Sequence, residues 1–298
     1  MNNEFTRRLL ALHYVYPKSL KTFLPLFTDD PDLAKLEKKS PNELMWLLNI
    51  KVEQAVKLTA SYRQSLTYPL QETYIKYKIF PISYQHPSYP KSLLELIDPP
   101  AVLYAKGDLT LLANPQKIAI IGSRKATSYS QKALHTIIPP LVENNFIIVS
   151  GLARGADAMA HQKTIDLGGR TIAVTGSGFL HPYPKENNAL NNIIEEKQLV
   201  LTEYPPYMKP LKWNFPMRNR IISGLSKGIV VTEAQVKSGT LSTIEHALDH
   251  GKDIFAVPGD IGSLLSEGPH KLILEGAKPV WNGWQILEEY QQMTARKE

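Results

Sequence analysis

Four short runs join glycine to serine or threonine, three of them beside a cation: Gly122-Ser123-Arg124-Lys125, Ser150-Gly151-Leu152-Ala153-Arg154-Gly155, Gly176-Ser177-Gly178 and Lys237-Ser238-Gly239-Thr240. Glycine lets a backbone approach a ligand or take positive φ, and successive free N–H groups form a nest for an anion. The hydroxyls of Ser123, Ser150, Ser177 and Ser238 add donors, while Arg124, Lys125 and Arg154 add charge and, for arginine, a fork that fits phosphate. One such turn is ordinary tight packing, whereas four with interleaved serine and arginine read as phosphate cradles. A fifth run, Trp213-Asn214-Phe215-Pro216-Met217-Arg218-Asn219-Arg220, sets two arginines and an asparagine after two aromatics. Arg218 and Arg220 lie two apart and cannot share a helix face, so one is expected in the crevice and the other bracing a turn. Tyr183, Lys185, Tyr204, Tyr207 and Lys209 continue the mixture. Cations that track a backbone, alternating with rings on which bases stack, are what a single-stranded nucleic acid requires; each ring taken singly is as readily a core residue.

Bond-breaking chemistry finds less support. There is no G-x-x-x-x-G-K-[ST] phosphate loop and no G-x-S-x-G elbow, and Gly176-Ser177-Gly178 lacks the third glycine of a dinucleotide fingerprint. His246 and His250, four apart beside Glu245, would suit a metal on one helix face, but no carboxylate stands at zincin spacing and a packing role is expected. Asp157 and His161 are read as capping or packing their helix. With no cysteine in the chain, thiolate metal sites and a cysteine nucleophile are excluded, and no cofactor or metal is expected.

The elements that must hold these turns are legible from pattern. From Lys117 onward, short β-branched runs (118–121, 146–149, 171–174, 199–201, 229–232, 254–257) alternate with helical stretches such as 155–167 and 239–250. Strands without internal polar alternation, separated by helices, indicate a mostly parallel, doubly wound α/β sheet covered on both faces. In such a sheet ligands bind beyond the carboxyl ends of the strands, so the four turns fall on one edge and converge on one crevice. Residues 1–66 read as a small helical domain, with Ser40-Pro41-Asn42-Glu43 as N-cap, first-turn proline and capping-box glutamate. Residues 67–116, rich in proline, read as connecting structure with a short strand around Val102–Tyr104, and residues 117–290 as the α/β domain.

The 298 residues are 43% hydrophobic and 21% charged, an ordinary globular composition. The net charge of +6 is local: residues 117–240 hold 15 Lys and Arg against 8 Asp and Glu, and the remainder is nearly balanced. A basic excess that coincides with the glycine turns points to a multiply charged anion, a nucleic acid or a phosphorylated small molecule. No apolar run is long enough to span a membrane and the N-terminus lacks a secretory h-region, so a cytoplasmic protein is expected. Between Thr240 and Ala277, Leu241, Ile244, Leu248, Ile261, Leu264, Leu265, Leu272 and Ile273 exceed what one sheet edge buries, and a homodimer through this region is expected.

The ordered set IAIIGSRKAT, SGLARGADAMAH, GSGFLHPYP, EYPP, FPMRNRIISGLS, VVTEAQVKSGT and FAVPGD, spread over about residues 90 to 280, resembles the DNA-processing protein A family, also called Smf. The resemblance implies an extended Rossmann-like domain, a sterile-alpha-motif-like N-terminal domain, dimerisation, single-stranded DNA binding, and loading of the RecA recombinase during natural transformation, with no enzymatic step. Carried over by motif, the DNA contacts are Arg124, Lys125, Ser150 to Gly155, Lys185 and Arg218 to Arg220. Ala156 and His270 depart from residues common in the family, and too few residues follow Trp284 for the winged helix that many relatives append. The competing class is a Rossmann-like phosphoribohydrolase acting on nucleoside monophosphates, for which Ser238-Gly239-Thr240 with Glu245 is a loose match.

Overall fold

The structure, a computed structural model, describes residues 4–236 and 240–295, and the side chains of residues 240–242 and 292–295 fall outside that description. Helices α1 (Glu4–Val15), α2 (Leu20–Asp29), α3 (Pro41–Leu48) and α4 (Val52–Ser65) build the N-terminal region. The capping box forms as the sequence predicts: Glu43 accepts from the Ser40 amide at 2.7 Å, and Ser40 Oγ accepts from the Glu43 amide at 3.3 Å. Residues 67–116 do more than connect. They carry α5 (Leu70–Lys76) and two strands, β1 (Phe80–Ser83) and β2 (Val102–Gly107), that extend the sheet. The helical region closes its core on this addition, because Val102 and Tyr104 of β2 are buried among Phe5, Leu9, Leu12, Phe23 and Tyr62.

The main domain then runs β3 (Lys117–Ile121), α6 (Ser128–Glu143), β4 (Ile147–Ser150), α7 (Ala156–Asp166), β5 (Arg170–Val174), α8 (Asn188–Lys197), β6 (Leu199–Thr202), α9 (Asn214–Leu225), β7 (Gly228–Val231), α10 (Thr240–Asp249), β8 (Asp253–Ala256), α11 (Glu267–Leu274), β9 (Lys278–Pro279) and α12 (Gly283–Ala295). The nine strands lie in the order β1-β2-β6-β5-β4-β3-β7-β8-β9. Strands β3 to β9 are mutually parallel, while β2 joins β6, and β1 joins β2, antiparallel. Both faces are covered. Ile118 and Ile120 pack on α6 and α12, while Ala119 and Ile121 face the α9 and α10 side with Ile221, Ile222 and Ile244. The chain winds outward from β3 to β6 and returns to lay β7 on the other flank of β3, so the switch point lies between β3 and β7. Ligands of open α/β sheets bind beyond the strand ends at that point.

Candidate nucleic-acid interface

Two adjoining cavities of about 580 and 230 Å³ occupy the switch point and share Arg124, Lys125, Ala153, Tyr183, Phe215 and Arg218. The larger reaches Asn219, Gln235 and Thr243; the smaller reaches Gly151, Arg154, Gly176 and Pro184. The crevice therefore crosses the carboxyl ends of β7, β3, β4 and β5. Two cavities of comparable size lie in the helical region, but their walls are mostly apolar and carry no such group of cations.

Two of its backbone turns, among the described residues, already hold a carboxylate. Glu233, buried after β7, accepts from the Thr127 amide at 2.7 Å, from the Thr127 hydroxyl at 2.8 Å and from the Ser130 hydroxyl at 2.8 Å, so its carboxylate sits on the N-terminus of α6. Its carbonyl takes the Ser123 amide at 2.5 Å, and the Ser123 hydroxyl takes the Lys125 amide. In the second turn Asp157 accepts from the amides of Gly151 and Ala153 at 3.1 and 3.3 Å. Burial pushes the Asp157 carboxyl up, opposed by the facing Arg218 guanidinium and those two amides. At these two turns an internal carboxylate thus stands where an external phosphate was expected, and the anion-binding capacity left there resides in side chains.

Those side chains surround a pair of rings. Phe215, in the first turn of α9, lies 5.5 Å from Tyr183, and the Arg124 guanidinium sits 5.6 Å from the Phe215 ring centre. Arg124 and Lys125 are exposed on the first turn, and Lys212, just before α9, lines the same cavity. A guanidinium over a ring keeps its charge available to phosphate while its flat face is supported. The arrangement offers stacking surface flanked by cations.

The expected residues divide on inspection. Gly122, Ser123, Arg124, Lys125, Gly151, Arg154, Gly176, Arg218 and Asn219 line the crevice. Arg218 does so as a strut: it is buried, donates to the carbonyl of Gly151 at 2.6 Å and to that of Val174, and burial brings its pKa down to about 10. The guanidinium lies so close over Gly151 that any Cβ there would collide with it. Gly155 serves the turn, with φ +72° and no room for a side chain against the Ser123 carbonyl. Lys185 is exposed beyond the cis Tyr183–Pro184 bond, outside both cavities, and Arg154 is held 3.3 Å from Glu186.

Four expectations need correction. Arg220 is buried in an ion pair with Glu203 and touches neither cavity. Ser150 is buried and donates to the Ile120 carbonyl at 2.6 Å, which ties β4 to β3. Ser177 is buried, and Gly178 is locked by its amide to the Met208 carbonyl, so the third turn contributes Gly176 alone. Among the rings, Tyr204 is buried with its hydroxyl on the Asn214 carbonyl. Ser238 and Gly239 lie outside the described residues, and Thr240 begins α10 with its side chain undescribed. Lys212 went unread although the signal was there, a lysine directly before the Trp213-Asn214-Phe215 run. Asp157 is legible in the sequence only as capping or packing its helix, and Glu233 as a nest filler carries no sequence signature.

An open, mostly parallel sheet whose switch-point crevice is lined by cations and rings defines a Rossmann-like protein. Residues 80–291 match the family model described as DNA recombination-mediator protein A, and the chain belongs to that family. It is 47% identical over 201 residues to the DNA processing protein DprA of Bacillus subtilis, covering 67% of this chain and 68% of the relative. It is likewise 47% identical over 203 residues to that of Streptococcus pneumoniae, covering 68% and 71%. The X-ray structure of the Streptococcus pneumoniae protein superposes with a TM-score of 0.71 at 36% identity, covering 91% of this chain and 98% of that one. A structure of DNA processing protein A from Helicobacter pylori, described for its single-stranded DNA binding mode, gives a TM-score of 0.65 at 30% identity over 72% of this chain and 96% of that one. The family assigns a role in DNA processing and recombination mediation.

Proposed function

We propose that the crevice binds single-stranded DNA and that the protein mediates recombination by delivering that strand to the RecA recombinase in natural transformation, without turning over DNA or nucleotide. The observation that carries this reading is the Phe215–Tyr183 pair flanked by Arg124, Lys125 and Lys212 while the backbone nests hold Glu233 and Asp157. Spaced side-chain cations and stacking rings are what a polyanion needs, and Glu233 and Asp157 take amides at the first two turns that a single phosphate would use; the turn matched to a phosphoribohydrolase, Ser238-Gly239-Thr240, is not one of them. The sequence-predicted homodimer belongs to the same proposal: Leu248, Ile261, Leu264 and Leu274 are 61%, 97%, 65% and 88% exposed, apart from the basic crevice. No helix among the described residues is long and apolar enough to cross a membrane, and a cytoplasmic location is proposed.

The test has two arms, run on protein whose size light scattering reports. Oligothymidylate is expected to bind far more tightly than duplex of the same length, and the protein to shorten the lag of RecA assembly on coated single strands. Equal affinity for duplex, release of free base from nucleoside monophosphates, or an unchanged lag overturns the corresponding part of the reading.

A further inference from the structure

Beyond the crevice, a second group of rings lies where the helical region meets the loop between β6 and α9. Tyr207 of that loop donates its hydroxyl to the Tyr14 carbonyl of α1 at 2.6 Å, and the two rings are 4.8 Å apart. Tyr14 in turn meets Tyr68, which follows α4, at 5.9 Å. Buried aromatic clusters are common, yet here Tyr207 and Tyr68 remain 39% and 38% exposed. The loop is pinned to the crevice rim by backbone hydrogen bonds from Gly178 to Met208 and from Leu180 to Pro206, each 2.9 Å. Trp213, 67% exposed, stands on the same loop between the crevice and Tyr207.

The segments that supply these rings carry charge of one sign. No Asp or Glu occurs from Tyr204 to Thr232, from Phe5 to Thr28, or from Gln54 to Gln71, the three stretches that supply Tyr207, Tyr14 and Tyr68. Lys209 and Lys212 are exposed on the loop and enter no ion pair among the described residues. A run of partly exposed rings reached from the crevice past Lys212 and Lys209 suits the bases and phosphates of one strand, while Glu4 and Glu72 line a cavity together with Tyr68 at its end.

We propose that a single strand seated in the crevice continues along the β6–α9 loop, past Lys212 and Lys209, onto a second stacking platform made by Tyr207, Tyr14 and Tyr68. This rests on the crevice reading and gives the helical region a direct part in binding DNA. The site becomes longer than the crevice, so affinity rises with oligomer length beyond what the crevice fills.

Oligothymidylates of about 6 and about 20 nucleotides, spanning the usual site sizes, separate the two platforms. Tyr68→Ala is expected to weaken the long oligomer about five- to tenfold, the value of one lost stacking partner, and to leave the short one unchanged. Long oligomers carrying 5-bromouracil are expected to photo-crosslink to peptides containing Tyr14, Tyr68 or Tyr207, and short ones only to crevice peptides. Unchanged long-oligomer affinity in a folded Tyr68→Ala variant, together with crosslinks confined to the crevice, overturns the platform while leaving the crevice reading intact. Failure of the wild-type protein to hold either length overturns the crevice reading first and the platform with it.

Discussion

Arg218 and Arg220 show how two arginines on one helix acquire different work. A guanidinium two residues further along α9 points to a different side, so Arg218 meets the crevice floor and Arg220 meets Glu203. Replacing Arg220 leaves an unpaired buried carboxylate, whereas Arg124 and Lys212 face open solvent at the crevice. Each phosphate contact releases counterions, so Arg124→Ala and Lys212→Ala are each expected to reduce the slope of log affinity against log salt by about 0.7 for a single strand. Arg220→Met is expected to cost stability and leave the slope alone. The measurement is a salt titration with oligothymidylate and mixed-sequence oligomers, which should suffer alike because the contacts are to backbone. An unchanged slope in folded Arg124→Ala and Lys212→Ala proteins moves the DNA off this edge. Spacing alone divided the two arginines but could not say which turned inward, because the buried partner Glu203 is supplied by a different element.

At the scale of elements, the N-terminus of α6 is completed by a residue from the far side of β3. The Glu233 carboxylate accepts three hydrogen bonds from Thr127 and Ser130. Hydrogen bonds to a charged group contribute about 1.5–3 kcal/mol, and a carboxylate at a helix N-terminus adds a dipole interaction. Glu233→Ala is therefore expected to destabilise the protein by about 2–4 kcal/mol and to leave an empty nest. Inorganic phosphate should then raise the thermal midpoint of the variant clearly more than that of the wild type. Equal response of both proteins to phosphate would show that the nest is not what Glu233 fills. The glycine turns were readable as nests because glycine, serine and strand ends are local features. Their occupancy was not, since Glu233 lies over a hundred positions from Thr127 and only the β3–β7 pairing brings them together.

For the whole molecule, strand positions in the parallel sheet followed from composition, since strands buried on both faces must be apolar throughout. Of the two added strands, β2 was legible in part, around Val102–Tyr104, while β1 was hidden by its setting: Pro81 lies inside it, and prolines at 87, 90, 99 and 100 mask the path between the two. Their place beside β6 fuses the helical region to the sheet, where His13 contacts the Tyr104 hydroxyl at 3.1 Å. Burial depresses the pKa of His13 and of His161 to about 3 from an ordinary 6.5. Both are neutral in the folded and unfolded chain above pH 6.5, so their full contribution is present there. As pH falls below 6.5 the unfolded chain binds two protons that the folded chain refuses until about pH 3. Stability should therefore drop by about 1.4 kcal/mol per pH unit for each histidine. Denaturant unfolding between pH 7 and 5 checks this: the wild type should weaken on acidification, and His161→Gln should show a slope smaller by about one proton. A wild-type stability flat across that range contradicts it.

The carboxylates lodged in the turns also bear on competition. Inside a cell, free mononucleotides present the same phosphate groups as a DNA chain, and a vacant glycine loop at a helix N-terminus would be occupied by them much of the time. By lodging Glu233 and Asp157 there, the chain takes two such seats, among the described residues, off offer. What remains are separated cations, each weak alone, whose combined pull is felt only by a ligand that reaches several of them together. Discrimination against the monomer is then a matter of valency rather than of shape, and it needs no contact with any base.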